Sequence, residues 1–136
     1  MSLRILIADD DLEDLELLEE TLLEFRPDSE IDKAVGGRAA IHYLESCADE
    51  KLPNLIILDY SMPDVSGLDV LAYMKEQERF KNLPRVMFST SNAERFVSES
   101  LKQGATRYFV KANSKPELDQ LTSEMLSLAD TGTTGK

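Results

Sequence analysis

Five times along this 136-residue chain, a short run suited to a strand stops at a polar or small residue and gives way to apolar residues spaced three and four apart. Leu3–Ala8, Leu55–Leu58, Arg85–Ser89 and Arg107–Val110 are too short for helices, and Ile31–Val35 is a weaker fifth run closed by Gly36 and Gly37. The most apolar of them read as strands buried on both faces. Between them, Leu15, Leu18, Leu22 and Phe25 mark one amphipathic helix. Ala40, Ile41 and Leu44 mark a second, over Arg38–Ser46, and Leu68, Leu71 and Met74 a third. A thin fourth helix over Ala93–Gln103 has only Phe96, Val97 and Leu101 as large apolar residues. Leu118, Leu121, Met125 and Leu128 line a fifth. Strand and helix in strict alternation leave few topologies. The chain should form an α/β fold: a doubly wound, five-stranded parallel sheet with right-handed crossovers and five helices.

Local signals set the boundaries. Asp10 or Asp11 can cap the first helix, Ser66 with Asp69 has capping-box spacing, and Gly104 suits a left-handed cap. Ser114, Pro116 and Glu117 open the last helix. Residues 1–129 read as one domain, and the Gly/Thr-rich stretch 130–136 as a flexible tail. The net charge of −11 argues against nucleic acid and anionic membrane as partners. A lone cysteine, Cys47, allows no internal disulfide and suits a reducing compartment. The apolar run Ile5–Ala8 is too short for a signal-peptide core or a membrane span, so a cytoplasmic location is expected.

The chemistry sits at the carboxyl ends of the strands. Asp9, Asp10 and Asp11 follow the first, Asp59 the third, Ser89 and Thr90 the fourth, and Lys111 the fifth. With strands ordered 2-1-3-4-5, the first and third are neighbours at the switch point, where ligands bind in such sheets. Asp9, Asp10 and Asp59 should therefore converge. Two unit charges about 4 Å apart at an effective dielectric near 20 repel by roughly 4 kcal/mol, so such a cluster must protonate in part or hold a cation. Oxygen ligands favour a hard divalent ion, Mg²⁺ or Mn²⁺, and no His/Cys cluster favours zinc. Metal, Lys111 and a hydroxyl together suit phosphoryl oxygens.

The chain resembles the response-regulator receiver domains, and among them the stand-alone chemotaxis type. The matching residues are Ile5-Leu6-Ile7-Ala8-Asp9-Asp10, Leu58-Asp59-Tyr60-Ser61-Met62-Pro63 with Gly67, Ser89, Gly104-Ala105, Tyr108 and Lys111. Leu83-Pro84, Ser89-Thr90-Ser91 and Tyr43-Leu44 are also similar to stand-alone regulators associated with phytochrome-type kinases. The resemblance implies a flavodoxin-like fold in which Asp59 takes a phosphoryl group from a sensor histidine kinase or phosphotransfer protein. It implies Mg²⁺ held by Asp9, Asp10, Asp59 and the backbone carbonyl of Ser61. Ser89 and Lys111 would contact the phosphoryl group, and Tyr108 would swing inward as the hydroxyl moves. Such a protein catalyses its own phosphorylation and slow dephosphorylation, and signals to a downstream protein as a monomer or weak homodimer. One departure is Ala112, where the family usually has proline, often after a cis bond; a trans bond is expected here.

Other readings fit less well. An aspartate-based phosphohydrolase usually carries a second acid two residues after its nucleophile, and Ser61 stands there. A flavin carrier needs amides and hydroxyls after its first strand, where Asp9-Asp10-Asp11 would repel phosphate. An unmodified binding scaffold would have no use for the intact acids.

Overall fold

The computed structural model describes residues 2–134. Five parallel strands, β1 (Arg4–Asp9), β2 (Glu30–Val35), β3 (Leu55–Leu58), β4 (Arg85–Ser89) and β5 (Arg107–Val110), lie in the order β2-β1-β3-β4-β5. Five α-helices alternate with them: α1 (Leu12–Phe25), α2 (Gly37–Ser46), α3 (Gly67–Lys75), α4 (Glu94–Lys102) and α5 (Lys115–Thr134). The expected doubly wound sheet is present, with β1 beside β3 at its centre. Every residue of β3 is buried, as its unbroken apolar run requires.

The sheet separates two cores because side chains alternate along each strand. Ile5, Ile7 and Ile57 face Leu15, Leu18 and Leu22 of α1, with Met125 of α5 in the same cluster. Leu6, Ile56 and Leu58 face the other way, with Leu44 of α2 and Leu71 and Met74 of α3. By contrast, α4 buries only Ser100 and leaves Leu101 exposed, so it is the least anchored helix.

Helix starts follow their sequence signals, with one difference at α5. Asp11 caps α1 through the amides of Glu13 and Asp14, and Ser66 and Asp69 form the capping box of α3. Gly104 takes φ +103°, as a left-handed cap needs. At α5, however, Ser114 accepts from the Glu117 amide while the Glu117 carboxylate turns to the amide of Asn113, which leaves the box half formed. The expected tail boundary at Asp130 falls inside α5, which continues to Thr134, and Asp130 pairs with Arg26 just beyond α1. Gly135 and Lys136 lie outside the described residues. The segment after Cys47 contains a 3₁₀ turn at Asp49–Lys51. No described peptide bond is cis, so Lys111–Ala112 is trans as expected.

The start of α2 is built from a distance. Its N-cap, Gly36, has φ +102° and no side chain, and Asp64 from the β3–α3 loop supplies the missing acceptor. The Asp64 carboxylate accepts from the amides of Gly37 at 3.2 Å, Arg38 at 3.3 Å and its neighbour Val65 at 2.7 Å. A Cβ on Gly37 would collide with the Val65 carbonyl oxygen, so the two loops touch backbone to backbone. The loop that follows Asp59 is therefore pinned to α2. Replacing a capping carboxylate costs about 1 kcal/mol, so Asp64→Ala should lower the urea midpoint accordingly. Asp64→Asn, which keeps an accepting oxygen, should recover most of that loss, and Gly37→Ala should cost about 2 kcal/mol through overpacking. Equal midpoints for wild type and Asp64→Ala would show that the clamp contributes nothing.

Candidate functional site

The parallel register brings the acids together. Ala8 of β1 pairs with Leu58 of β3, so Asp9 and Asp59, one residue further on, end neighbouring strands. One side-chain oxygen from each of Asp9, Asp10 and Asp59 lies within 4.8 Å of the others. Asp9 and Asp59 are buried and Asp10 is exposed, which gives the cluster an inner and an outer side. Asp11 is not in this group; it accepts from the first amides of α1.

Lys111 follows β5 and reaches back over the edge of the sheet. Its backbone amide donates to the Ser89 carbonyl at 2.7 Å, and its ammonium lies 5.9 Å from the centroid of the Phe88 ring. The ammonium donates to Asp9 Oδ2 at 2.7 Å and to Asp14 Oδ2 at 2.9 Å, while Asp59 Oδ1 stands off at 3.7 Å. Asp14 was absent from the expected site because it belongs to an acidic helix face that looks solvated. The signal lay in the cap: with Asp11 at the N-cap, Asp14 occupies the first turn of α1, close to the strand ends.

The remaining expected residues are linked in a second group. Ser89 is buried, but its Oγ accepts from the Ser91 amide at 3.2 Å, its one hydrogen bond through the side chain among the described residues. Tyr108 is half-buried, and its hydroxyl donates to the Ser91 carbonyl at 2.6 Å. Ser91 thus joins the hydroxyl that ends β4 to the aromatic on β5. Tyr60 was not foreseen as a contact. Its ring stacks on Phe96 of α4 at 4.6 Å between centroids and its hydroxyl donates to Glu99 at 2.9 Å, so the residue after Asp59 holds the loosest helix.

Burial pushes the Asp59 carboxyl up to about 7; the Lys111 charge opposes this, and Asp9 and Asp10 add to it. For Lys111, burial disfavours the charge, but the bonds to Asp9 and Asp14 and the charge of Asp59 outweigh it and hold the ammonium above its ordinary range. A cavity of about 60 Å³ between α1 and the sheet, lined by Leu15, Leu18, Ile57, Phe88 and Leu118, extends to both groups. Four carboxylates, Asp9, Asp10, Asp14 and Asp59, against one lysine leave the site short of positive charge. All the cluster's ligand atoms are hard oxygens, which fits a divalent cation of the Mg²⁺ or Mn²⁺ class. His42 and Cys47 line a separate groove beside β2. No helix among the described residues is long and apolar enough to cross a membrane.

Comparison with known proteins identifies the family and agrees with the fold. The family described as the response regulator receiver domain matches residues 5–123. The two-component response regulator ARR8 of Arabidopsis thaliana is 28% identical over 137 aligned positions, which cover 90% of this chain and 60% of that longer protein. The Mn²⁺-bound form of response regulator Rcp1 superposes with a TM-score of 0.80 at 29% identity, covering 92% of each chain. The phosphorylated cyanobacterial phytochrome response regulator RcpA gives a TM-score of 0.82 at 25% identity, over 100% of this chain and 97% of its own. The chain belongs to the response regulator receiver domain family of two-component signalling.

Proposed function

We propose that Asp59 is a phosphoryl acceptor, served by a divalent cation at Asp9, Asp10, Asp59 and the Ser61 carbonyl, with Mg²⁺ as the physiological ion and Mn²⁺ as a substitute. The observation that carries this reading is the excess of buried carboxylate at one strand edge, with Asp59 pushed up to about 7 by burial and by its acidic neighbours despite the charge of Lys111. An isolated domain has no reason to keep that arrangement for stability. The phosphorylated relative RcpA and the Mn²⁺-bound relative Rcp1 support the same reading.

The donor is a phosphohistidine on a sensor histidine kinase or phosphotransfer protein. An Asp59 carboxylate oxygen attacks phosphorus and forms the O–P bond as the N–P bond breaks. The imidazole nitrogen leaves with the electron pair and takes up a proton. A bound divalent cation favours the ionised form of Asp59 and offsets charge on the phosphoryl oxygens as it develops. Lys111 supplies the second positive charge by leaving one of its present carboxylate partners for a phosphoryl oxygen. The phosphoryl group adds roughly −1.5 to −2 charge at pH 7. Ser89 turns its hydroxyl toward this group and so gives up the Ser91 amide, which disturbs the bond that holds Tyr108. The loosely anchored α4 then shifts at low cost, changing the surface offered to a downstream protein. Attack of water at phosphorus returns the carboxylate and releases inorganic phosphate, and this self-dephosphorylation ends the signal. The domain works in this way in the cytoplasm, as a monomer or weak homodimer.

Incubation with acetyl phosphate and Mg²⁺ should add one phosphoryl group to the wild type and none to Asp59→Asn, as read by intact mass spectrometry. Equal labelling of the two would remove Asp59 as acceptor. Asp10→Ala should weaken Mn²⁺ binding by about tenfold or more, given the usual worth of a charged ligand, and an unchanged titration would exclude the acid cluster as the metal site. Stability should also carry the mark of Asp59. A carboxyl raised from 3.8 to about 7 contributes stability in full below about pH 4 and loses it as pH rises through about 7. Asp59→Asn, neutral at every pH, should therefore match the metal-free wild type near pH 4. At pH 8 it should exceed the wild type by on the order of 4 kcal/mol, and Mg²⁺ should narrow the gap. A pH-independent difference in thermal midpoint would contradict this.

A further inference from the structure

We infer that Asp14 is a positioning residue for Lys111: it holds the ammonium in a resting place off Asp59, and so sets how readily the site accepts a phosphoryl group. The inference rests on the phosphoacceptor reading above. The lysine makes two charge-assisted bonds, to Asp9 and Asp14, and stands 3.7 Å from the nearest oxygen of Asp59. A phosphoryl group on Asp59 would extend outward from that oxygen, so Lys111 must give up a partner to meet it. The two partners differ in kind. Asp9 is buried and belongs to the carboxylate cluster suited to a cation, so cation binding itself loosens its hold on the lysine. Asp14 lies outside that cluster, on the first turn of α1, and nearly half of its side chain is exposed. With metal present, Asp14 is the partner left to restrain Lys111. Its exposure keeps the restraint weak enough to break, because water can replace the lysine at its oxygens. Asp14 and the phosphoryl group therefore compete for one ammonium.

Beryllofluoride, an acyl-phosphate analogue, separates this role from chemistry. Its affinity in excess Mg²⁺ can be read from amide chemical shifts in the wild type, Asp14→Asn, Asp14→Ser, Glu13→Gln, Lys111→Ala and the double variant of Asp14→Asn with Lys111→Ala. Loss of a half-exposed ion-pair partner should tighten binding about threefold in Asp14→Asn and Asp14→Ser. Glu13→Gln, which removes the same charge one residue away, should leave affinity within about 1.5-fold of the wild type. In the Lys111→Ala background, Asp14→Asn should have no effect, because the competitor has lost its object. Equal or weaker binding by both Asp14 variants overturns the inference, as does the same tightening in Glu13→Gln or without Lys111, since either means charge alone. In those cases wild-type binding that Asp59→Asn abolishes leaves the phosphoacceptor reading intact. A wild type that fails to bind the analogue sinks both.

Discussion

Crowding of like charge at the carboxyl edge of β1 and β3 is the constraint on which the rest of the molecule turns. Two buried carboxylates end adjacent strands, a third sits beside them, and one ammonium reaches the group from two strands away. The repulsion cannot relax, since register fixes the backbone beneath Asp9 and Asp59 and both strands are sealed in apolar cores. What can change is occupancy: a proton on Asp59, or a cation among the acids. The site is therefore held ready for a positive partner by the packing beneath it.

Much of this was legible in the chain because each strand ends where its chemistry begins. The unbroken apolar run Leu55–Leu58 can only be an interior strand, so the acid after it had to emerge at the sheet edge. Strand order then placed Asp9 beside Asp59 without any knowledge of side-chain positions. The same logic located Lys111 and Ser89, since β4 and β5 stop at the predicted residues. The sparse apolar content of α4 likewise anticipated a helix that buries only Ser100.

What stayed hidden depends on side chains meeting across elements that are distant in sequence. Asp14 sits in a run of acids whose helical spacing gives no hint of a lysine 97 positions away. Asp64 looks like an ordinary turn former, yet it caps a helix that begins 27 positions earlier, because Gly36 has no side chain to do so. Tyr60 looks like a hydrophobic neighbour of the acceptor, and only the packing of α4 turns its hydroxyl toward Glu99. The end of α5 escaped for a related reason. Gly and Thr disfavour helix locally, while the pairing of Asp130 with Arg26 ties that stretch to the segment after α1.

The capping pattern limits how an anion can be met at this edge. A helix amino terminus is a natural anion cradle when its amides are free. Here the first amides of α1 are engaged by Asp11, those of α2 by Asp64, and that of Asp69 in α3 by Ser66. Several amides around the acidic cluster are thus already engaged from within, and among the α-helices of the described residues α4 starts without a side-chain cap. On the proposed function, compensation of an incoming dianion would fall instead on side chains and a bound ion: the Lys111 ammonium, the Ser89 hydroxyl and a divalent cation. Such an edge suits transient occupancy, whereas one lined with open amides would retain its ligand.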